Sequence, residues 1–230
     1  MNCVICLKRV IPEFNWTYLF SIEPICYLCE ECQGKLELIS GETCNICGRS
    51  LAAIDPHYIQ DNLCVDCRRW EKDESWQGLL TKNTSLFIYN DFLKDIIAQF
   101  KYRGDHQLAA SFVPYMPKDL AENKVVVPIP LSEHRLYERG FNQAEAILYY
   151  ANITFVNGLK RKHGEKQSKK TRQQRLLTEN IFSIEGKDRI NAQDILLVDD
   201  IYTTGTTLRH AARILKEAGA LSVTSFTIAR

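Results

Sequence analysis

The sequence predicts a chain in two parts: a small cysteine-rich module over residues 1–80, then an α/β domain over residues 81–230 with a mostly parallel sheet and helices on both faces. Three observations carry this. All nine cysteines lie between Cys3 and Cys67. Beyond them strand-like and helix-like patterns alternate, the order that places parallel strands beneath crossover helices. The most apolar of those strands, Ile195 to Val198, runs into two carboxylates and a glycine turn that opens a helix.

The composition, 45% hydrophobic and 25% charged over 230 residues, is that of a globular protein and excludes a disordered or collagen-like chain. Apolar runs fall far short of the roughly 20 residues of a membrane span. There is no basic-then-apolar leader with a cleavage site. The expectation is a cytoplasmic protein without membrane insertion, in which thiols stay reduced and paired cysteines hold metal rather than disulfides.

In the first part, Cys3/Cys6, Cys29/Cys32, Cys44/Cys47 and Cys64/Cys67 all stand at CxxC spacing. A tight turn between two thiols lets both sulfurs reach one tetrahedral ion at about 2.3 Å. Four such pairs supply two complete four-cysteine sites, the pattern of a double zinc ribbon, assigned in order as Cys3, Cys6, Cys29, Cys32 and then Cys44, Cys47, Cys64, Cys67. Crossed pairing uses the same residues, and Cys26 also forms CxxC with Cys29, so the register of the first site stays open. With every ligand position filled, the two zinc ions are structural, and each supplies about 10 kcal/mol or more to a segment with little apolar content of its own. Gly48 follows Cys47 where such a knuckle turns through a left-handed residue. His57 is read as a loop residue, and Trp16, Trp70 and Trp76 as packing around the ribbons.

In the second part, Leu86 to Tyr89 reads as a strand, Asp91 to Tyr102 as an amphipathic helix and His106 to Tyr115 as another helix. Lys124 to Val127 reads as a short buried strand before Pro128 and Pro130. A helix from Asn142 to Ala151 and a strand from Asn157 to Lys160 follow. The apolar strand Ile195 to Val198, a helix from Gly205 to Ala218 and a strand from Ser222 to Ile228 complete the pattern. Ligands of such sheets bind beyond the carboxyl ends of the strands. There stand Asp199 and Asp200, then Thr203, Thr204, Gly205, Thr206 and Thr207. The turn offers helix N-terminal N–H groups and hydroxyls to a phosphate. The carboxylates suit sugar hydroxyls, or a divalent cation bridging sugar and phosphate.

The net charge of +1 conceals an uneven distribution. Residues 1–80 carry 7 basic and 12 acidic side chains, whereas residues 160–175 carry 8 basic and 1 acidic. The second stretch, with Lys166, Lys169, Lys170, Arg172 and Arg175, is where an anionic partner is drawn. Lys101, Arg103 and Arg139 are weaker candidates, each in or beside a helix.

The segment from Ile195 to Leu208 resembles the phosphoribosyl pyrophosphate (PRPP) motif of type I phosphoribosyltransferases. That resemblance implies that Asp199 and Asp200 bind the ribose 2′ and 3′ hydroxyls, that the loop Thr203 to Thr207 binds the 5′-phosphate, and that Tyr202 belongs to the same PRPP-binding segment. It also places a pyrophosphate loop at Ile129 to Ser132, Mg2+ beside the pyrophosphate, and a loop closing over the diphosphate where the basic stretch lies. Adding Val127 to Ser132, Glu138 to Gln143, Phe100 to Asp105, the basic stretch and the CxxC pairs, the whole chain resembles the ComF family, closest to its ComFC members. What this implies is a zinc-finger module joined to a phosphoribosyltransferase-like domain, acting in natural transformation on incoming single-stranded DNA beside the ComFA competence helicase and recombination mediators. On this reading Lys166, Lys169, Lys170, Arg172, Arg175 and Arg139 contact nucleic acid or the diphosphate, with Phe141 or Tyr149 stacking bases. The alternative is an active phosphoribosyltransferase using PRPP and Mg2+ on an unidentified acceptor; no residue stands out as its general base.

Overall fold

The computed structural model describes residues 2–10, 27–162 and 181–230. In chain order these form α1 (Glu30–Gly34), β1 (Ile59–Gln60), β2 (Leu63–Cys64), α2 (Val65–Lys72), β3 (Lys82–Phe87), α3 (Asp91–Tyr102) and β4 (Val125–Pro128). There follow α4 (Glu133–Arg139), α5 (Gln143–Tyr150), β5 (Leu159–Arg161), β6 (Phe182–Ile184), β7 (Asp194–Ile201), α6 (Thr206–Glu217) and β8 (Ser222–Ala229). Four strands make the main sheet in the order β3-β8-β7-β4, every neighbouring pair parallel. β1 with β2, and β5 with β6, form small antiparallel pairs. Cys26, Trp16 and the basic residues Lys166, Lys169, Lys170, Arg172 and Arg175 lie outside the described residues.

Helices cover both faces of the sheet, as the alternating pattern predicts. Successive side chains of a strand point to opposite faces, and β7 separates its apolar residues accordingly. Leu196 and Val198 join Phe226 and Ile228 of β8 in a core with α3 and α5. Ile195 and Leu197 join Val223 in a second core with Leu208, Ala211, Ala212 and Leu215 of α6. The cysteine module contributes to both. Cys3, Leu28, Cys32 and Leu36 are buried in the first core, whereas Cys44, Cys47, Cys64 and Cys67 are buried in the second. The chain between the two cysteine groups, with the first knuckle of the second group, passes along the outer edge of β3. Ile39 N–H donates to Leu86 O at 2.8 Å, Ile88 N–H to Glu37 O at 2.8 Å, and Asn83 N–H to Ile46 O at 2.6 Å. An edge that would otherwise expose unpaired peptide groups is closed by these bonds.

The edge strand differs from expectation. It starts at Lys82 rather than Leu86, because Asn83, Thr84 and Ser85 carry no apolar signal. Their buried polar atoms are paired instead: Asn83 Nδ2 donates to Cys47 O at 3.1 Å, Asn83 Oδ1 accepts from Ser225 Oγ at 2.8 Å, and Ser85 Oγ lies 2.7 Å from Thr227 Oγ1. The helix expected over His106 to Tyr115 is instead two 3-10 turns, His106–Ser111 and Val113–Tyr115. Pro114 lacks the N–H that an α-helix needs there.

Candidate functional site

The eight described cysteines are free and form two groups. Cys3, Cys6, Cys29 and Cys32 lie together, as do Cys44, Cys47, Cys64 and Cys67, with the sulfurs of each group within 4.8 Å of one another. The structure thus groups the pairs in chain order. A tetrahedral zinc ion with bonds of about 2.3 Å requires sulfur–sulfur edges of about 3.8 Å. Cys6 to Cys29 measures 3.6 Å and Cys47 to Cys64 3.7 Å, so both groups have the donor set and spacing for zinc. Cys64 N–H also donates to Cys44 Sγ at 3.4 Å, a bond that steadies a thiolate ligand. Gly48 turns the second knuckle at φ +68°, and a Cβ there would stand 2.7 Å from Asn83 O. His57, in the turn Pro56–Tyr58, is exposed and belongs to neither group.

A crevice opens at the carboxyl ends of β4 and β7. The helices that follow these strands leave toward opposite faces, α5 to one and α6 to the other. Such a switch point is where open parallel sheets bind ligands. The crevice encloses about 240 Å3 between Ile129 and Leu131 after β4, Arg139, Asn142 and Gln143 near the start of α5, Arg161 on β5, Lys101 on α3, Asp199 and Asp200 at the end of β7, Thr203 in the turn after it and Thr207 at the start of α6. Arg135 lines it as well. Strand alternation places the Asp199 and Asp200 side chains on opposite sides of the sheet plane. Asp200 falls on the side of α3, where Lys101 Nζ meets its Oδ2 at 2.7 Å. Asp199 accepts the Asp200 N–H at 2.9 Å. Withdrawal from solvent, reinforced by the Asp200 charge, pushes the Asp199 carboxyl up to about 7. Desolvation and the neighbouring charges of Arg135 and Arg139 push Arg161 down, partly offset by Asp199.

The turn after β7 forms a shallow concavity lined by Tyr202, Thr203, Gly205, Thr206 and Thr207, adjoining the crevice at Asp199. N–H groups in the first turn of α6 have no acceptor within the helix. Gly205 adopts φ +79°, and a Cβ on it would meet the Tyr202 hydroxyl at 2.2 Å. Tyr202 is buried as the floor of this loop. Thr204 stands at its exposed rim, its hydroxyl 2.9 Å from that of Thr206. Arg139 reaches the crevice with Nη1 donating to Gln143 Oε1 at 2.8 Å.

Sequence reasoning missed Arg135 and singled out no individual role for Arg161, which lies within the basic stretch. The expected strand ends at Lys160, whereas β5 runs from Leu159 to Arg161, so the strand position that directs the Arg161 side chain was not read. Arg135 lies on α4, a helix with no buried residue and hence no apolar period. Its capping residues were legible: Ser132 Oγ accepts the Arg135 N–H, and Gly140 ends the helix in a left-handed conformation. Phe141 and Tyr149 lie outside the crevice, against His106, with ring centroids 5.0 and 5.9 Å from it.

A four-stranded parallel sheet with a carboxylate pair and a glycine–threonine loop at its switch point defines a type I phosphoribosyltransferase-like domain. A family model described as a phosphoribosyl transferase domain matches residues 136–230. The full chain is 37% identical to the competence protein ComFC of Bacillus subtilis strain 168, covering 99% of this chain and 94% of that protein. It is 32% identical to the ComFC of Streptococcus pneumoniae, covering all of both chains. A DNA utilization protein of Escherichia coli K12 is 22% identical over 88% of this chain and 96% of its own length. The chain belongs to the ComF family. Among its described residues no helix is long and apolar enough to cross a membrane.

Proposed function

We propose that this protein binds PRPP with Mg2+ in the crevice between β4 and β7 and acts in natural transformation. On this reading it handles incoming single-stranded DNA in the cytoplasm, with a competence helicase of the ComFA kind and recombination mediators as partners. The observation that carries the reading is the meeting of an acidic pair, a threonine loop and the cations Lys101, Arg135, Arg139 and Arg161 around one crevice. Asp199 and Asp200 take the ribose hydroxyls or, with the diphosphate oxygens, Mg2+. Tyr202 to Thr207 take the 5′-phosphate, while Arg139 and Arg161 face the diphosphate. The names of its relatives, two for competence and one for DNA utilization, support the pathway. Lys166, Lys169, Lys170, Arg172 and Arg175 supply the phosphate contacts to DNA. Residues 1–80 act as the zinc module and residues 81–230 as the ligand-binding domain.

Isothermal titration of PRPP with Mg2+ tests the pocket. Wild type is expected to bind and Asp199→Asn with Asp200→Asn to lose at least tenfold in affinity; equal binding by the two proteins refutes the assignment. Pyrophosphate release in the presence of bases or nucleic acid would make the protein a transferase. Replacing Lys169, Lys170 and Arg172 with glutamate is expected to weaken single-stranded DNA binding and flatten its salt dependence. Unchanged affinity removes the basic stretch from the DNA site.

A further inference from the structure

The second cysteine group and the loop at residues 202–205 are joined by two side chains. Arg230, directly after β8, lies with its guanidinium 4.7 Å over the Tyr202 ring. Its Nη2 donates to Cys47 Sγ at 3.6 Å, and its Nη1 donates to Thr203 O at 2.6 Å and Tyr202 O at 3.3 Å. Trp70, three residues past Cys67 on α2, donates Nε1–H to Thr204 O at 3.1 Å. Two donors therefore hold three consecutive carbonyls. Trp70 is itself fixed from below by Arg209, whose guanidinium lies 5.1 Å from its ring while Nη1 bonds Glu71 of the same helix at 2.9 Å.

In a planar trans peptide the C=O and the following N–H point in opposite directions. Carbonyls of residues 202, 203 and 204 drawn toward Arg230 and Trp70 therefore aim the N–H groups of Thr203, Thr204 and Gly205 the other way. Gly205, with no Cβ, gives its peptide little intrinsic resistance to flipping. A four-cysteine site holding Zn2+ carries a charge of about −2, against which a guanidinium on a ligand sulfur is a stabilising outer-shell donor.

We propose that metal at Cys44, Cys47, Cys64 and Cys67 sets the affinity of the loop for phosphate, with Arg230 and Trp70 as the positioning residues that transmit it. This rests on the phosphate-binding reading given above and adds to it a second, remote site that controls the loop. Metal fixes Cys47 Sγ and the start of α2; these fix Arg230 and Trp70; and these orient the peptides that face the anion. Linkage makes the effect reciprocal, so a phosphate ligand tightens metal at this site by the same factor.

The test uses full-length protein loaded with Co2+ in place of zinc and ribose 5-phosphate as the probe. Arg230→Met is expected to lower ribose 5-phosphate affinity by tenfold or more, with partial recovery in Arg230→Lys. Trp70→Phe keeps the ring on Arg209 and loses only the N–H, and is expected to lose about threefold to tenfold. In the wild type, ribose 5-phosphate is expected to perturb the sulfur-to-cobalt charge-transfer band and to slow chelator removal of one of the two cobalt ions; in Arg230→Met it does neither. If wild type binds ribose 5-phosphate while both variants bind it equally and cobalt release is unaffected, the coupling is refuted and the phosphate site stands. Failure of wild type to bind ribose 5-phosphate overturns both.

Discussion

Gly205→Ala is the sharpest single test of how the loop is built. The backbone stands at φ +79°, and the added Cβ would lie 2.2 Å from the Tyr202 hydroxyl, 2.6 Å from its Cζ and 3.0 Å from Cε1. Holding an L-residue in the left-handed region costs about 1–2 kcal/mol. Displacing a ring that is only 2% exposed adds about 1–3 kcal/mol of overpacking. Together they predict a loss of about 2–5 kcal/mol, which lowers the melting temperature of a chain this size by on the order of 10 °C. Urea denaturation of the zinc-loaded protein at pH 7 measures it. Tyr202→Phe alone is expected not to destabilise the protein, because among the described residues the buried hydroxyl has no hydrogen-bond partner to lose. Combined with Gly205→Ala it removes the 2.2 Å contact, leaves the Cζ contact and the backbone term, and restores only part of the loss. A Gly205→Ala protein within about 0.5 kcal/mol of wild type, the range of an ordinary surface substitution, would show that neither the left-handed turn nor the tyrosine floor holds the loop.

Two further outcomes follow from the charges and the sulfurs. Asp199 titrates near 7 in the fold, against about 3.9 unfolded, so its favourable contribution is complete below about pH 4 and is lost as pH rises to about 7. A shift of about three units sets a ceiling near 4 kcal/mol, which partial exposure brings to about 1–2 kcal/mol; Asp199→Asn is therefore expected to stabilise the protein at pH 8 and not at pH 4, and an equal effect at both would refute the shift. Metal removal is expected to be biphasic, since Cys6 is exposed and Cys29 half-buried in the first group while all four cysteines of the second are buried. Chelator kinetics followed by a metallochromic dye should show the first site emptying faster, and Cys6→Ser should remove that fast phase; loss of the slow phase instead would reverse the order.

Much of the site was legible because its chemistry is local. Ile195 to Val198 signals a strand by apolarity alone, and the carboxylates, threonines and glycine after it share one turn. The four CxxC pairs announce their donors for the same reason. What escaped was what depends on distant partners. Asn83 and Ser85 look like loop residues until Ser225, Thr227 and the Cys47 carbonyl satisfy them. Lys101 looks like an ordinary helix-end cation until β7 brings Asp200 to it. Arg230 looks like a tail residue, and only the packing of β8 beside β3 and β7 brings its guanidinium to both Cys47 and the loop.

The placement of the two cysteine groups in opposite cores has a consequence for how the chain is made. Cys47 meets Arg230 across 183 residues, and β3 pairs with β8 across 142. The second cysteine group and β3 are therefore synthesised well before the partners they meet, and such long-range closure is slow. Until β8 docks, Cys47 Sγ lacks its hydrogen bond from Arg230. A chain truncated before β8 therefore keeps all four cysteines of the second group yet lacks Arg230, the donor to Cys47 Sγ.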